Sequence, residues 1–221
     1  MPPRAPRPPK FVVASHVLIL RHGQTDWNAE KRLQGQTDTL LNDTGRWQAD
    51  HNGRLLAALI GGDHAAFRFV SSPMRRARET MERMRVALGL DADGYDTDPL
   101  LKELSFGDWE RHTFEELDAL NPGTSLERAG RKWTFVPPGE GAESYEILAG
   151  RVAGWLETLD RPTVCVAHGG TIRALFHLVN GLPGDRAAEM EVHQGRLLKL
   201  EGARIDPRRA VIPGVITQPG C

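Results

Sequence analysis

Hydrophobic residues fall along this chain in two rhythms. Three short runs are apolar or β-prone: Val17-Leu18-Ile19-Leu20, Phe67-Arg68-Phe69-Val70 and Val164-Cys165-Val166-Ala167. Each has the length and composition of a buried strand. Elsewhere apolar residues recur at helical spacing. One stretch follows the capping signal Asn42-Asp43-Thr44, carries Trp47, Leu55, Leu56, Leu59 and Ile60, and stops at Gly61-Gly62. A second carries Met74, Met81, Met84 and Leu88, with Gly89 as its stop. A third runs from Ser144 to Leu159, and a fourth from Thr171 to Val179, ending at Asn180-Gly181. Strands alternating with helices predict an α/β fold of three layers, a mostly parallel sheet flanked by helices on both faces.

Residues 105–143 break this alternation. They hold Trp109 and Trp133, a short helical run from Thr113 to Leu120, and breakers at Asn121-Pro122-Gly123 and Pro137-Pro138-Gly139. They are expected to form a lid-like insertion over one end of the sheet. The first 15 residues are Pro-rich and basic and predict a disordered tail. One domain is expected over 16–205, with a C-terminal tail over 206–221.

Composition narrows the classes. The 221 residues are 40% hydrophobic and 26% charged, with 28 Lys plus Arg against 29 Asp plus Glu. A net charge of −1 argues against nucleic acid or an anionic membrane as partner through bulk charge. The two cysteines, Cys165 and Cys221, cannot form a disulfide framework, so a reducing, cytoplasmic compartment is the expectation. The basic start followed by Phe11-Val12-Val13 has the outline of a secretory signal. His16 interrupts its apolar run and no small-x-small site follows. No stretch approaches the roughly 18 apolar residues of a membrane span.

The chemistry is expected at the carboxyl ends of the strands, where ligands bind in parallel α/β sheets. Arg21 and His22 follow the first run, Arg75, Arg76 and Arg78 the second, and His168 the third. Gly169-Gly170 opens a helix whose N–H groups and positive end suit a phosphate. Taken singly, such a histidine is commonly a structural strand-end residue and such arginines a solvated helix face. Recurrence at three strand ends describes an anion pocket. The eight histidines are scattered and no metal-binding spacing occurs, which favours a neutral histidine as nucleophile toward phosphorus.

Five blocks then carry a resemblance. Leu20-Arg21-His22-Gly23-Gln24-Thr25-Asp26-Trp27-Asn28 is followed by Arg32-Leu33-Gln34-Gly35-Gln36-Thr37-Asp38 with Leu41-Asn42-Asp43-Thr44-Gly45. Next come Ser71-Ser72-Pro73-Met74-Arg75-Arg76-Ala77-Arg78-Glu79-Thr80, then Leu101-Lys102-Glu103-Leu104-Ser105-Phe106-Gly107-Asp108-Trp109-Glu110, then Ala167-His168-Gly169-Gly170. In this order the set resembles the histidine phosphatase superfamily, the phosphoglycerate mutase-like group. The resemblance implies His22 as a nucleophile that becomes phosphohistidine, Arg21 and Arg76 as phosphate-binding arginines, and His168 as the second histidine. It implies Glu103 as the acid that protonates the leaving group. Thr25 and Asn28 would line the phosphate pocket, beside the Gly169 N–H read above as a phosphate contact, and Gln34 and Gly35 would touch the rest of the substrate. Arg75 and Arg78 return to the solvated face.

Mutases resembling this group carry a long basic and aromatic insertion between the acid and the second histidine. Here 64 residues lie between Glu103 and His168, closer to the compact phosphatase branch. A shorter lid admits water, which favours hydrolysis. The expected activity is a metal-independent phosphomonoester hydrolase, without cofactor, acting on a small phosphorylated metabolite. The alternatives are a phosphoglycerate mutase and a phosphate-binding protein without catalysis. Oligomeric state stays open, a homodimer being one option.

Overall fold

The computed structural model describes residues 16–201 and 204–211. The expected N-terminal tail over 1–15 and the last residues, 212–221, lie outside them. Six strands form one sheet: β1 (Val17–Arg21), β2 (Arg68–Ser71), β3 (Asp96–Thr97), β4 (Thr163–Ala167), β5 (Leu197–Glu201) and β6 (Arg204–Val211), in the order β3-β2-β4-β1-β5-β6. The first four are mutually parallel, and β5 and β6 run antiparallel at one side. The sheet is mostly parallel and helices cover both faces, as the alternation predicted.

The apolar runs read as unbroken because both faces of each strand are buried. On β1, Leu18 and Leu20 join Val164 and Val166 of β4 in one core, against α2 (Asp43–Ile60) and α3 (Arg75–Ala87). Val17 and Ile19 join Cys165 and Ala167 in the opposite core, against α6 (Tyr145–Glu157) and α7 (Gly169–Asn180). This is the two-residue period of a pleated strand serving two layers.

The capping signals act as read. Asn42 accepts the Gly45 N–H at 2.9 Å to start α2, and Gly61 ends it at φ 59°. Ser144 caps α6, and α7 ends at Gly181 with φ 67°. Between β3 and α6 lie α4 (Phe114–Leu120) and α5 (Thr124–Gly130). The α4 run matches the periodicity, but α5 is an addition: Asn121-Pro122-Gly123 is a tight link between two helices. This segment has its own apolar cluster, in which Trp109 stacks on Phe135 at 5.1 Å.

The C-terminal boundary is corrected. Residues 206–211, read as tail, belong to β6 and pair with β5. Pro207 concealed the strand, since proline removes a ladder donor. Here it sits on an edge strand, beside a register shift, where the missing N–H is tolerated. Also outside the sequence reading is α8 (Gly184–Glu189).

Candidate active site

The carboxyl ends of β1, β2 and β4 converge on a cleft of about 170 Å³. Arg21 is the last residue of β1, in register with Ala167 of β4, and the His22 N–H bonds the Ala167 carbonyl at 2.9 Å. His22 is only 2% exposed. Its Nδ1 lies 2.7 Å from the Gly23 carbonyl oxygen. A carbonyl only accepts, so Nδ1 carries the proton and Nε2 keeps its lone pair. The following loop is clamped by backbone contact. A Cβ on Gly23 would sit 2.4 Å from the Gly45 carbonyl, and a Cβ on Gly45 2.1 Å from that of Gln24. Thr80 accepts the Gly23 N–H at 3.0 Å, and Gln48 accepts that of Gln24 at 2.9 Å.

His168 is the residue just before α7, and its ring lies against that of His22 with centroids 5.1 Å apart. Its Nε2 lies 2.7 Å from the Ser72 hydroxyl, while its buried Nδ1 has no partner. Arg76, fully buried at the start of α3, donates to the carbonyls of Gly35 at 2.7 Å and Thr37 at 2.9 Å. Arg21 donates to the Val192 carbonyl at 2.9 Å. The Nε of each guanidinium is buried without a partner. Two unpaired guanidinium donors and an unpaired imidazole nitrogen around one nucleophile mark where an anion's oxygens belong.

Electrostatics follow from this crowding. Burial, then Arg76 and Arg21, holds His22 well below the usual histidine range. Burial, then Arg76 and the His22 ring, does the same to His168. Both rings are therefore neutral at pH 7. Burial also pulls Arg76 down to about 10 and lowers Arg21, and both remain cations at neutral pH.

Glu103 sits over the N-terminus of α7. Both its oxygens accept the Gly170 N–H at 3.1 Å, and Oε1 also accepts that of Leu104 at 2.8 Å. A Cβ on Gly170 would lie 2.2 Å from Oε1, so that position holds the carboxylate only as glycine. Asn28, Gln34, Gly35 and Gly169 line the same cleft. The Asn28 Oδ1 accepts from Gln194 at 2.9 Å and from the Thr25 N–H and hydroxyl at 3.1 Å each. Thr25 is not in the cleft wall: it is buried and caps the helical turn α1 (Asp26–Ala29). His168 likewise stands behind the wall. Arg75 and Arg78 are exposed outside the cleft.

Several residues that shape the site were not singled out from sequence. Arg32, Phe106, Tyr145 and Arg173 line the cleft. Glu110 accepts from the Gln36 N–H at 2.8 Å and the Thr37 hydroxyl at 2.6 Å, bracing Gly35, whose φ is +49°. Arg151 ties Glu143 at 2.7 Å to the Glu103 carbonyl at 3.3 Å. Arg32, Phe106 and Glu110 lie inside the blocks quoted for the resemblance without a role of their own, and Tyr145, Arg151 and Arg173 are ordinary helix residues that no spacing distinguishes. Among the described residues, no group of three His, Cys, Asp or Glu could hold a metal ion.

Residues 17–210 match the family model of the histidine phosphatase superfamily, branch 1. The chain belongs to this superfamily. This histidine phosphatase is 40% identical, over 184 residues and 76% of each chain, to the glucosyl-3-phosphoglycerate phosphatase of Mycolicibacterium vanbaalenii. It is 30% identical over 167 residues to phosphoglycerate mutase-like protein 4 of Arabidopsis thaliana, covering 73% of this chain and 70% of that one. Its fold matches the mycobacterial glucosyl-3-phosphoglycerate phosphatase solved with VO3. The TM-score is 0.71 at 33% identity, over 87% of this chain and 98% of that one. Among the described residues, no helix is long and apolar enough to cross a membrane.

Proposed function

We propose that this histidine phosphatase is a metal-independent phosphomonoester hydrolase that works through a phosphohistidine at His22, on a small phosphorylated metabolite. The observation that carries it is the His22 ring. Its Nδ1 is committed to the Gly23 carbonyl, and Nε2 is an unprotonated nucleophile in a cleft with two guanidiniums whose buried Nε atoms lack partners.

In the first step Nε2 attacks phosphorus and the ester P–O bond breaks, while Glu103 gives a proton to the departing oxygen. In the second step water attacks phosphorus, Glu103 takes a proton from that water, the N–P bond breaks, and inorganic phosphate leaves. Arg21, Arg76 and His168 hold the equatorial oxygens, where charge spreads in the transition state. Glucosyl-3-phosphoglycerate, named for the mycobacterial relatives, is the first substrate to test. The two-cysteine composition fits a cytoplasmic site. A mutase is the less favoured reading, because the most similar relative quoted is a phosphatase at 40% identity. The complete set of His22, Arg21, Arg76, Glu103 and His168 in one place speaks against a merely phosphate-binding protein.

The test is phosphate release from small monoesters, with and without EDTA, together with quenching to trap an acid-labile phosphoenzyme. The wild type is expected to turn over in EDTA and to label on His22. His22→Ala is expected to stay folded and lose turnover by on the order of 10⁴-fold or more. A folded His22→Ala protein that turns over normally, or activity that needs a divalent ion, rejects the mechanism.

A further inference from the structure

Glu103, the acid of the proposed mechanism, stands on backbone without regular structure. Residues 102–106 belong to neither helix nor strand and lie between the short 3₁₀ turns Pro99–Leu101 and Gly107–Trp109. Such a stretch has no ladder of its own, so its carbonyls and N–H groups need partners from elsewhere. One side chain on α6 supplies several of them. Arg151 donates through Nη1 to the carbonyls of Leu100 and Lys102, at 2.8 Å each, and through Nη2 to that of Glu103 at 3.3 Å. Its other N–H groups meet Glu143 in a bidentate pair, Nε to Oε1 at 3.0 Å and Nη2 to Oε2 at 2.7 Å. All five donors of the guanidinium are used.

Glu143 holds the chain on the far side of Glu103. Its Oε2 accepts the Ser105 N–H at 3.1 Å, and its own N–H donates to the Ser105 carbonyl at 3.0 Å. Gln36 joins in, donating to the Glu103 carbonyl at 3.2 Å and to Glu143 Oε2 at 3.5 Å. The two charged side chains are only 18% and 13% exposed. Neither is part of the cleft wall, whereas Glu103 is. A bidentate, charge-assisted fork fixes direction as well as distance. That matters here, because a misplacement of about 1 Å in a reacting group can cost ~10²-fold in rate.

We propose that Arg151 and Glu143 are positioning residues for proton transfer: without touching substrate, they set the backbone from which the Glu103 carboxyl reaches the leaving oxygen. This rests on the phosphatase reading above, with Glu103 as its acid.

The test is the rate of phosphoenzyme formation from two esters. The alkoxide of 3-phosphoglycerate needs a proton to leave, and the nitrophenolate of nitrophenyl phosphate does not. Arg151→Lys keeps a cation beside Glu143, which preserves the fold, but its three N–H donors cannot serve five oxygens. It is expected to lower the ratio of the two rates, alkyl over nitrophenyl, about tenfold, and Arg151→Met about 10- to 100-fold. Should the unpaired Glu143 carboxylate unfold Arg151→Met, Arg151→Lys decides the question. Adding Arg151→Lys to Glu103→Gln, where the acid is already lost, is expected to change the ratio by less than about twofold. A folded Arg151→Lys protein that slows both esters equally or not at all overturns the inference and leaves the pair a structural brace. A further tenfold fall of the ratio in the Glu103→Gln background overturns it too. If Glu103→Gln alone leaves the ratio unchanged, the acid role of Glu103 fails. If neither ester forms a phosphoenzyme, the phosphatase reading fails, and the inference falls in both cases.

Discussion

The two ends of the sheet treat arginine in opposite ways. At the amino ends of the strands lies an open groove of about 750 Å³, lined by Arg68, Arg85 and Arg161. Arg68 pairs with Asp96 at 2.9 Å. Arg85 donates to the Asp91 carbonyl at 2.7 Å and lies 4.8 Å over the Phe69 ring. At the carboxyl ends the cleft is smaller, about 170 Å³, yet Arg21 and Arg76 each leave a buried Nε without a partner. Cavity size and unmet hydrogen bonding therefore point to opposite ends, and the unmet donors favour the smaller cleft, because a fold retains buried unpaired donors where a ligand completes them. The parallel sheet supplies the reason for the asymmetry: the βα turns at the carboxyl ends aim helix N-termini and loop residues at one place.

The largest effect that sharpens this contrast concerns Glu103. Its carboxylate is seated on the start of α7 and lines the cleft, and the proposed mechanism has it serve the leaving oxygen. Glu103→Gln is expected to slow alkyl phosphates by ~10²–10⁴-fold and nitrophenyl phosphate far less, since a nitrophenolate leaves without a proton. Burst-phase phosphoenzyme formation on the two ester types measures the difference. Equal losses on both would reduce Glu103 to a binding residue.

Paired arginine substitutions probe the contrast directly. Arg76→Met is expected to cost ~10²–10³-fold in kcat/KM by removing donors to the transition state. Arg85→Met at the opposite end is expected to lower stability by about 1–3 kcal/mol, through the lost carbonyl bond and ring contact, with kcat/KM within about twofold. Urea unfolding and steady-state rates on both variants are the measurements. Rate loss in Arg85→Met without destabilisation would show that the large groove takes part in turnover.

The smallest effect is in pH dependence. The folded protein holds His22 and His168 well below the usual range, so the unfolded chain binds more protons below about pH 6.5. Stability is therefore expected to be full above that pH. It should fall as pH drops toward the folded values, by about 1 kcal/mol per histidine over the first unit. Inorganic phosphate should flatten the fall, because an anion beside the rings favours their protonated forms. Urea midpoints between about pH 7 and pH 5, with and without phosphate, test this, and a flat wild-type profile would contradict the burial argument.

Much of the site was legible in the sequence because its residues sit at the ends of recognisable strands. Arg21, His22 and His168 follow apolar runs directly, and Arg76 lies just beyond the Ser71-Ser72-Pro73 turn. Glu103 was reached only through the family resemblance, since it lies in a stretch without a regular element. Thr25 acts as a helix cap that holds Asn28, and Asn28 meets the cleft. Val192 contributes a backbone carbonyl to Arg21, which any residue could supply, so no side chain announces it.

Local chemistry settled the elements of this protein. Branched apolar runs four residues long make doubly buried strands, and Asn42, Ser144, Gly61 and Gly181 start and stop helices through their own hydrogen bonds and backbone freedom. Tertiary structure alone decided which charges are compensated. Arg68 opens β2 and Arg76 lies five residues beyond its end, and nothing in the sequence marks which of the two meets a carboxylate. One meets Asp96 across the neighbouring strand, and the other meets only two carbonyls that leave its Nε empty. That difference depends on distances between segments tens of residues apart, and electrostatic energy in a desolvated pocket varies steeply with those distances.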